Sequence, residues 1–216
     1  MNCDIESTLL PEWDENSDSQ CAVDYCKTLM DIARKESCGK CVLCREGTWQ
    51  VHEIVKGITE GQGQSGDLEL ITELLEQIRK GAGCELTQEA AWRSLEGMKA
   101  SAEEWDQHIR RKRCTHLICT CSYTLYVDPV LCDGCGACAP VCGSGAIAGS
   151  EGLIHVIHTE KCTKSSACIT VCPKGAIKKA GPIKPKVPLE PVPVGSFAES
   201  SEEGEDGAPR RRRRKS

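Results

Sequence analysis

Apolar residues recur at helical spacing through the first half of the chain and alternate only in short pieces beyond it. Val23, Cys26, Met30 and Ala33 mark a helix over 22–35, with Asp24 favourable at its N-terminal end. Val51, Ile54, Val55 and Ile58 form a second stripe. A glycine-bounded loop at 61–66 leads to a third, Ile71, Leu74, Leu75 and Ile78, with Asp67 placed to cap it. Ala91, Leu95, Met98, Ala102, Trp105 and Ile109 form a long fourth, capped by Thr87. Four such stripes predict a four-helix bundle. His52 lies by the second stripe and reads as packed or surface, not as a ligand. After 121 the pattern changes. Residues 123–127 and 152–157 read as short strands, and 145–148 and 174–177 as turns that follow cysteine runs. From 181 onward Pro, then Ser, Glu and Gly dominate, and order is expected to fail. The first twenty residues read as a flexible acidic lead with Cys3 unliganded.

Seventeen cysteines in 216 residues alter this picture. A disulfide scaffold usually carries a secretory leader, and the acidic start MNCDIESTLLPEWDENSDSQ has no apolar segment of that kind. Reduced, metal-ligating thiols in the cytoplasm are the expectation, with no membrane span. A single Phe and few aromatics leave apolar burial thin, so bound metal is expected to supply much of the stability. The net charge of −5 argues against a nucleic-acid-binding body.

The cysteines fall into runs. Cys132, Cys135, Cys138 and Cys142 are spaced x2, x2, x3. Cys162, Cys168 and Cys172 repeat that spacing before Pro173, with Ser165 where a second cysteine would stand. Thiolates are the soft ligands that iron–sulfur clusters require, and a tight loop can set three of them around one corner. Residues 122–180 resemble the two-cluster ferredoxin family. The resemblance implies crossed ligation, with Cys132, Cys135, Cys138 and Cys172 on one [4Fe-4S] cluster and Cys142, Cys162 and Cys168 on the other. The gap at Ser165 leaves three alternatives for that second site: a [3Fe-4S] cluster, a [4Fe-4S] cluster with Ser165 as ligand, or a degenerate, empty site. Gly143 stands where the family has proline, which is expected to loosen that turn.

A third run, Ser37-Cys38-Gly39-Lys40-Cys41-Val42-Leu43-Cys44-Arg45-Glu46-Gly47, precedes the second stripe. It resembles the C-terminal region of the flavin-carrying, NADH-oxidising subunit of respiratory complex I and of its soluble, often electron-bifurcating, hydrogenase and formate dehydrogenase relatives. Leu43 replaces the family's proline. The resemblance implies a [4Fe-4S] cluster on Cys38, Cys41, Cys44 and Cys84, the last about forty residues downstream. It also implies a zinc site on Cys21, His108, Cys114 and Cys119, a closed set of three cysteines and one histidine of structural type. Cys121 and His116 are alternative ligands, and Cys26 reads as a core cysteine. The family's flavin and NADH domain has no counterpart here, nor does the chain carry a dinucleotide fingerprint, so neither FMN nor NAD is expected on this chain.

The expected organisation is an α+β chain. A lead (1–20) precedes a four-helix bundle with one cluster (21–112), a zinc-type junction (113–121), a two-cluster ferredoxin-like domain of βαβ repeats (122–180) and a disordered Pro/acidic/Arg tail (181–216). The expected function is electron transfer within a multi-subunit oxidoreductase. Flavoprotein and catalytic subunits are the expected partners, with soluble ferredoxin a further one and no catalytic residue on this chain. The alternative is a zinc-held interaction or nucleic-acid module using the basic tail, Arg210–Arg214 with Lys215. A chemically active corner at Ser165 is a third, weaker possibility.

Overall fold

The computed structural model describes residues 10–14 and 20–197. Cys3, the rest of the lead and the arginine block lie outside them. Five helices come first: α1 (Ala22–Glu36), α2 (Thr48–Thr59), α3 (Asp67–Gly81), α4 (Glu85–Ala100) and α5 (Ala102–Arg110). α1 packs on α2 and α4, α3 packs on α4 and α2, and α5 leans on α1, α2 and α4. Val23, Leu29, Met30, Val51, Val55, Ile58, Ile71, Leu75, Ile78, Leu86 and Trp105 fill the shared core. α1 ends in Arg34 and Lys35, which suit the negative end of the helix dipole. Both pair with Asp31 at surface distances that contribute only a few tenths of a kcal/mol.

Three sequence expectations need correction here. The long fourth stripe is two helices, because the chain leaves helical geometry at Ser101 (φ −119°, ψ 37°) before α5 resumes. Asp67 does not cap α3. Gly66 takes that position at φ 108°, and the Asp67 carboxylate instead accepts from the Gln64 N–H at 2.7 Å, closing the preceding loop. Thr87 lies inside α4, whose cap position is Cys84, so a cluster-type cysteine occupies the site that a hydroxyl was expected to fill.

The second module is built on very short strands: β1 (Thr124–Val127), β2 (Ile147–Ala148), β3 (Leu153–Ile154), β4 (Val156–Ile157), β5 (Ile177–Ala180) and β6 (Val192–Pro193), with one short helix, α6 (Ala167–Val171). All three pairings are antiparallel: β1 with β5, β2 with β4, and β3 with β6. The expected βαβ repeats imply parallel strands, and none is present among the described residues. Two-residue strands separated by cluster-type loops leave no length for a parallel crossover. Tyr123, Leu125, Val127, Ile154, Ala176 and Ile177 make a small core.

Order also extends past both expected limits. Leu10 is buried, and the Tyr25 hydroxyl donates to the Pro11 carbonyl at 3.0 Å. The Trp13 ring sits 5.0 Å from that of Tyr25. These apolar residues, few in an acidic segment, are enough to seat it on α1. The proline-rich stretch does not end the fold at 181, because Val192 and Pro193 pair with Ile154 and Leu153 and Phe197 packs on the second core.

The two modules are tied at the junction. The Thr59 carbonyl at the end of α2 accepts from the Cys121 N–H at 3.2 Å. Lys164 reaches back to donate to the Thr120 carbonyl, and Lys179 donates to the Leu117 carbonyl at 3.0 Å. No helix among the described residues is long and apolar enough to cross a membrane.

Candidate metal centres

The third cysteine run sits where backbone geometry is unusual. After Cys41 the chain enters a π-turn, Leu43–Gly47, before the regular α2 begins. Such turns mark functional sites more often than ordinary helix, since they re-aim side chains. Cys44 lies inside the turn with its Sγ 2.7 Å from that of Cys41. Burial pushes the Cys44 thiol up to about 12, with Cys41 and Cys84 close enough to add to the effect. The buried Thr87 hydroxyl faces Cys44 and opposes the rise. Cys41 is half-buried. Burial acts to raise it, but the Cys44 thiol and the backbone of Gly83 and Leu43 outweigh that, so its pKa is lowered. Cys84 arrives from the start of α4, and Cys38 is exposed. The donors are soft, close and gathered from two segments, which fits a cluster.

The junction brings four buried groups together. Cys21, His108, Cys114 and Cys119 have ligand atoms all within 4.8 Å of one another, and no other such group occurs among the described residues. Cys21 Sγ lies 3.4 Å from His108 Nε2 and 3.6 Å from Cys119 Sγ. Glu104 organises this set. Its backbone carbonyl lies 2.8 Å from His108 Nδ1, which leaves Nε2 as the inward-facing ring nitrogen, while its carboxylate accepts from the Ala22 N–H at 3.1 Å. Cys114 receives hydrogen bonds from Cys119 and Cys21, which hold its thiol far below the usual range against the effect of burial. Cys21 is driven far up by the same contacts and by burial. Burial acts to lower His108, and the Cys114 and Glu104 contacts outweigh it, so its pKa is raised. Three thiols sharing so small a volume fit a bound cation. His116 stands apart, 3.8 Å from Glu104, and Cys121 packs beside Gly61. Cys26 is a core residue whose thiol burial pushes up to about 12. His52 packs against Glu53 at 3.0 Å and Asp31 at 3.7 Å.

In the second module, a pair of loops repeats one conformation. Cys135 is flanked by Gly134 (φ 71°) and Gly136 (φ 74°), and Ser165 by Lys164 (φ 57°) and Ser166 (φ 62°). The second loop therefore keeps the left-handed pattern without glycine, at a cost of about 1–2 kcal/mol per residue. The turns after Cys142 and Cys172 also match. Cys142 Sγ accepts from the Ala146 N–H and Cys172 Sγ from the Ala176 N–H, both at 3.3 Å. Gly145 and Gly175 close the two turns on the Cys142 and Cys172 carbonyls at 3.0 and 3.2 Å, so Gly143 does not loosen its turn as expected from its sequence.

Cys132, Cys135, Cys138 and Cys172 line one partly enclosed hollow, together with Val127, Asp133, His155 and Ile177. Burial pushes the Cys138 thiol up to about 11, with Cys132, Cys172 and Cys135 near enough to add to it. Cys168 is raised by burial and by its neighbours Cys162 and Cys142. Ser165 is exposed. His155 has no motif to mark it in the sequence, because it lies within an apolar run, Leu153-Ile154-His155-Val156-Ile157. A lone polar residue in that run is the only local signal.

Gly134 is the tightest point of the first loop. A Cβ there would sit 2.9 Å from the backbone of Gly152 and Leu153, at a φ that disfavours any other residue. Gly134→Ala is expected to cost ~1–3 kcal/mol and to lower the iron retained at this site, read from iron per chain and the thermal midpoint.

These features define an iron–sulfur protein. Residues 24–108 match the NADH-ubiquinone oxidoreductase-F iron–sulfur binding region, and residues 131–176 match a 4Fe-4S dicluster domain. The chain is 36% identical over 138 residues to the NADP-reducing hydrogenase subunit HndC of Solidesulfovibrio fructosivorans, covering 64% of this chain and 28% of that protein. It is 37% identical over 64 residues to the mitochondrial NADH-ubiquinone oxidoreductase 51 kDa subunit of Neurospora crassa, covering 30% and 13%. It is 35% identical over 82 residues to the NADP(+)-dependent formate dehydrogenase subunit beta of Moorella thermoacetica, covering 37% and 12%. The chain thus spans less than a third of each of these relatives, and what it resembles is their iron–sulfur region.

Proposed function

We propose that the chain is an iron–sulfur electron-transfer subunit of a multi-subunit oxidoreductase of the hydrogenase or formate dehydrogenase kind, working between a flavin-containing partner and a catalytic subunit or ferredoxin. The observation that carries this reading is the gathering of three separate cysteine sets within two short modules joined by a tied junction. The hydrogenase and formate dehydrogenase names among the relatives support it.

Bound clusters would supply one-electron storage at potentials set by charge, burial and hydrogen bonds to sulfur. Cys38, Cys41, Cys44 and Cys84 would hold a [4Fe-4S] cluster. Cys132, Cys135, Cys138 and Cys172 would hold a second. Cys142, Cys162 and Cys168 would hold a third centre, as [3Fe-4S] or as [4Fe-4S] completed by Ser165. A [3Fe-4S] centre would have a higher potential than its neighbours and could gate one branch. The left-handed residues on either side of Ser165 support this third site, since an abandoned loop has no reason to keep a strained backbone without glycine. Cys21, His108, Cys114 and Cys119 would hold zinc in a closed structural site. That site fixes the start of α1, the end of α5 and the junction to one point, and so fixes the two modules relative to each other. FMN, NADH and any splitting of electron pairs between two acceptors are assigned to partner chains.

Anaerobic purification with iron and zinc counted per chain tests the reading. About eleven iron and one zinc is expected for a [3Fe-4S] third centre, and about twelve iron for a serine-completed one. About eight iron would remove the third site. Mostly zinc with little iron would overturn electron transfer and restore the zinc-held interaction module, which the relatives do not favour. With a three-iron centre, Ser165→Cys should raise the iron count by about one and abolish the oxidised [3Fe-4S] electron paramagnetic resonance signal.

A further inference from the structure

The hollow lined by Cys132, Cys135, Cys138 and Cys172 is also lined by a buried imidazole, one nitrogen of which has no hydrogen-bond partner within the protein. His155 is 2% exposed, and its Nε2 is buried with no hydrogen-bond partner. A buried imidazole nitrogen without a partner is costly, and such groups seldom persist unless a bound species completes them. The ring is held firmly. Gly149 (φ 144°) lies flat against it, so close that a Cβ on Gly149 would sit 2.7 Å from His155 Cδ2. The backbone is pinned on both sides, since β3 ahead of it pairs with β6 and β4 behind it pairs with β2. The same segment is fastened to the first cysteine loop, because the Gly152 N–H donates to the Gly134 carbonyl at 3.0 Å. Loop, strand and ring therefore form one rigid unit around the hollow.

We propose that His155 is a positioning residue for the first ferredoxin-type cluster, donating its Nε2–H to a sulfur of that cluster and raising its reduction potential above that of a site without the donor. The inference rests on the cluster assignment to Cys132, Cys135, Cys138 and Cys172 and goes beyond it. Its physical basis is charge. A reduced cluster carries one more negative charge than an oxidised one, so a donor fixed against sulfur stabilises the reduced form more. No other buried histidine lies in the second module among the described residues, so the second site has no such imidazole donor. The two halves of an otherwise repeated module would thus differ in potential through one side chain.

The test compares His155→Phe, which keeps a ring and removes the donor, with His155→Gln, which keeps a donor, by redox titration of the full chain followed by electron paramagnetic resonance. Iron per chain is measured alongside. Phe is expected to shift the first cluster to a more negative potential at unchanged iron, and Gln to shift it less. Pulsed resonance on protein carrying 15N-histidine should show one histidine nitrogen coupled to that cluster, a coupling lost in both variants. This last measurement needs only the natural chain and stands even if a variant folds poorly. Unchanged potential in the Phe variant, equal shifts in both variants, or no histidine coupling in the natural chain would each overturn the proposal. Iron absent from the first site in the natural chain would instead overturn the cluster assignment beneath it.

Discussion

Removing iron with an iron(II)-selective chelator is expected to unfold residues 122–197 and to leave α1–α5 largely helical. The two modules differ in what holds them. The helical one has long amphipathic helices around a continuous core that includes Trp105, Leu29, Met30 and Ile58, all fully buried. The second has strands of two to four residues, each pairing with only one other, and a core little larger than Tyr123, Leu125, Val127, Ile154 and Ile177. An isolated two-stranded ribbon is marginal in water, and three of them on so small a core do not make a stable domain unaided. Metal binding then becomes folding free energy, on the order of 10 kcal/mol or more for structural sites with thiolate ligands. Loss of iron also leaves clustered thiols repelling one another as they ionise. Far-ultraviolet circular dichroism should keep most of its helical signal, while amide exchange over 122–197 should become fast. Continued protection of Leu125, Val127 and Ile177 in iron-free protein would show that the apolar core suffices.

Cys114→Ala is expected to abolish zinc binding at the proposed junction site and to loosen the two modules. Cys114 contacts Cys119, Cys21 and His108, so it touches all three other members of the set. Its loss leaves Cys21, Cys119 and His108 buried without their shared partner. Even outer-shell partners of metal ligands are worth ~10–100-fold in affinity, so removal of a direct ligand should cost more. Zinc affinity is measured by competition with a chromogenic chelator. Proteolytic cleavage within 111–121 should rise at the same time. Cys121→Ala and His116→Ala are the controls, since both residues lie outside the set and should leave zinc affinity unchanged. A large loss in either control would reassign the ligands.

Much of this arrangement is written locally. The four apolar stripes give helices because spacing alone decides which face is buried. Cysteine runs at fixed intervals become loops whose shape the ligands dictate. What could not be read was non-local or depended on a single backbone angle. Ser101 breaks the long stripe through its dihedral angles, and Ala102, expected to face inward, is exposed while Trp105 beyond it is buried. Asp67 and Thr87 are good caps by type, but the helix starts were set by Gly66 and by the chain's need to deliver Cys84. Val192 and Pro193 lack any strand pattern of their own, and they are ordered only because β3 offers them an edge. His155 carried no motif; its role emerges only when the strand that bears it is folded over the first cysteine loop.

The pairing of β6 with β3 has a consequence for the behaviour of the protein in a crowded solution. An open strand edge invites another chain to extend the sheet, and a small domain of short strands is exposed to that hazard. β6 occupies the edge of β3 and presents Pro193 on the strand that remains outermost. Proline has no N–H to offer a newcomer, so the ladder cannot propagate through that position. The segment that looked like the beginning of a tail therefore closes one edge of this ribbon to strand addition.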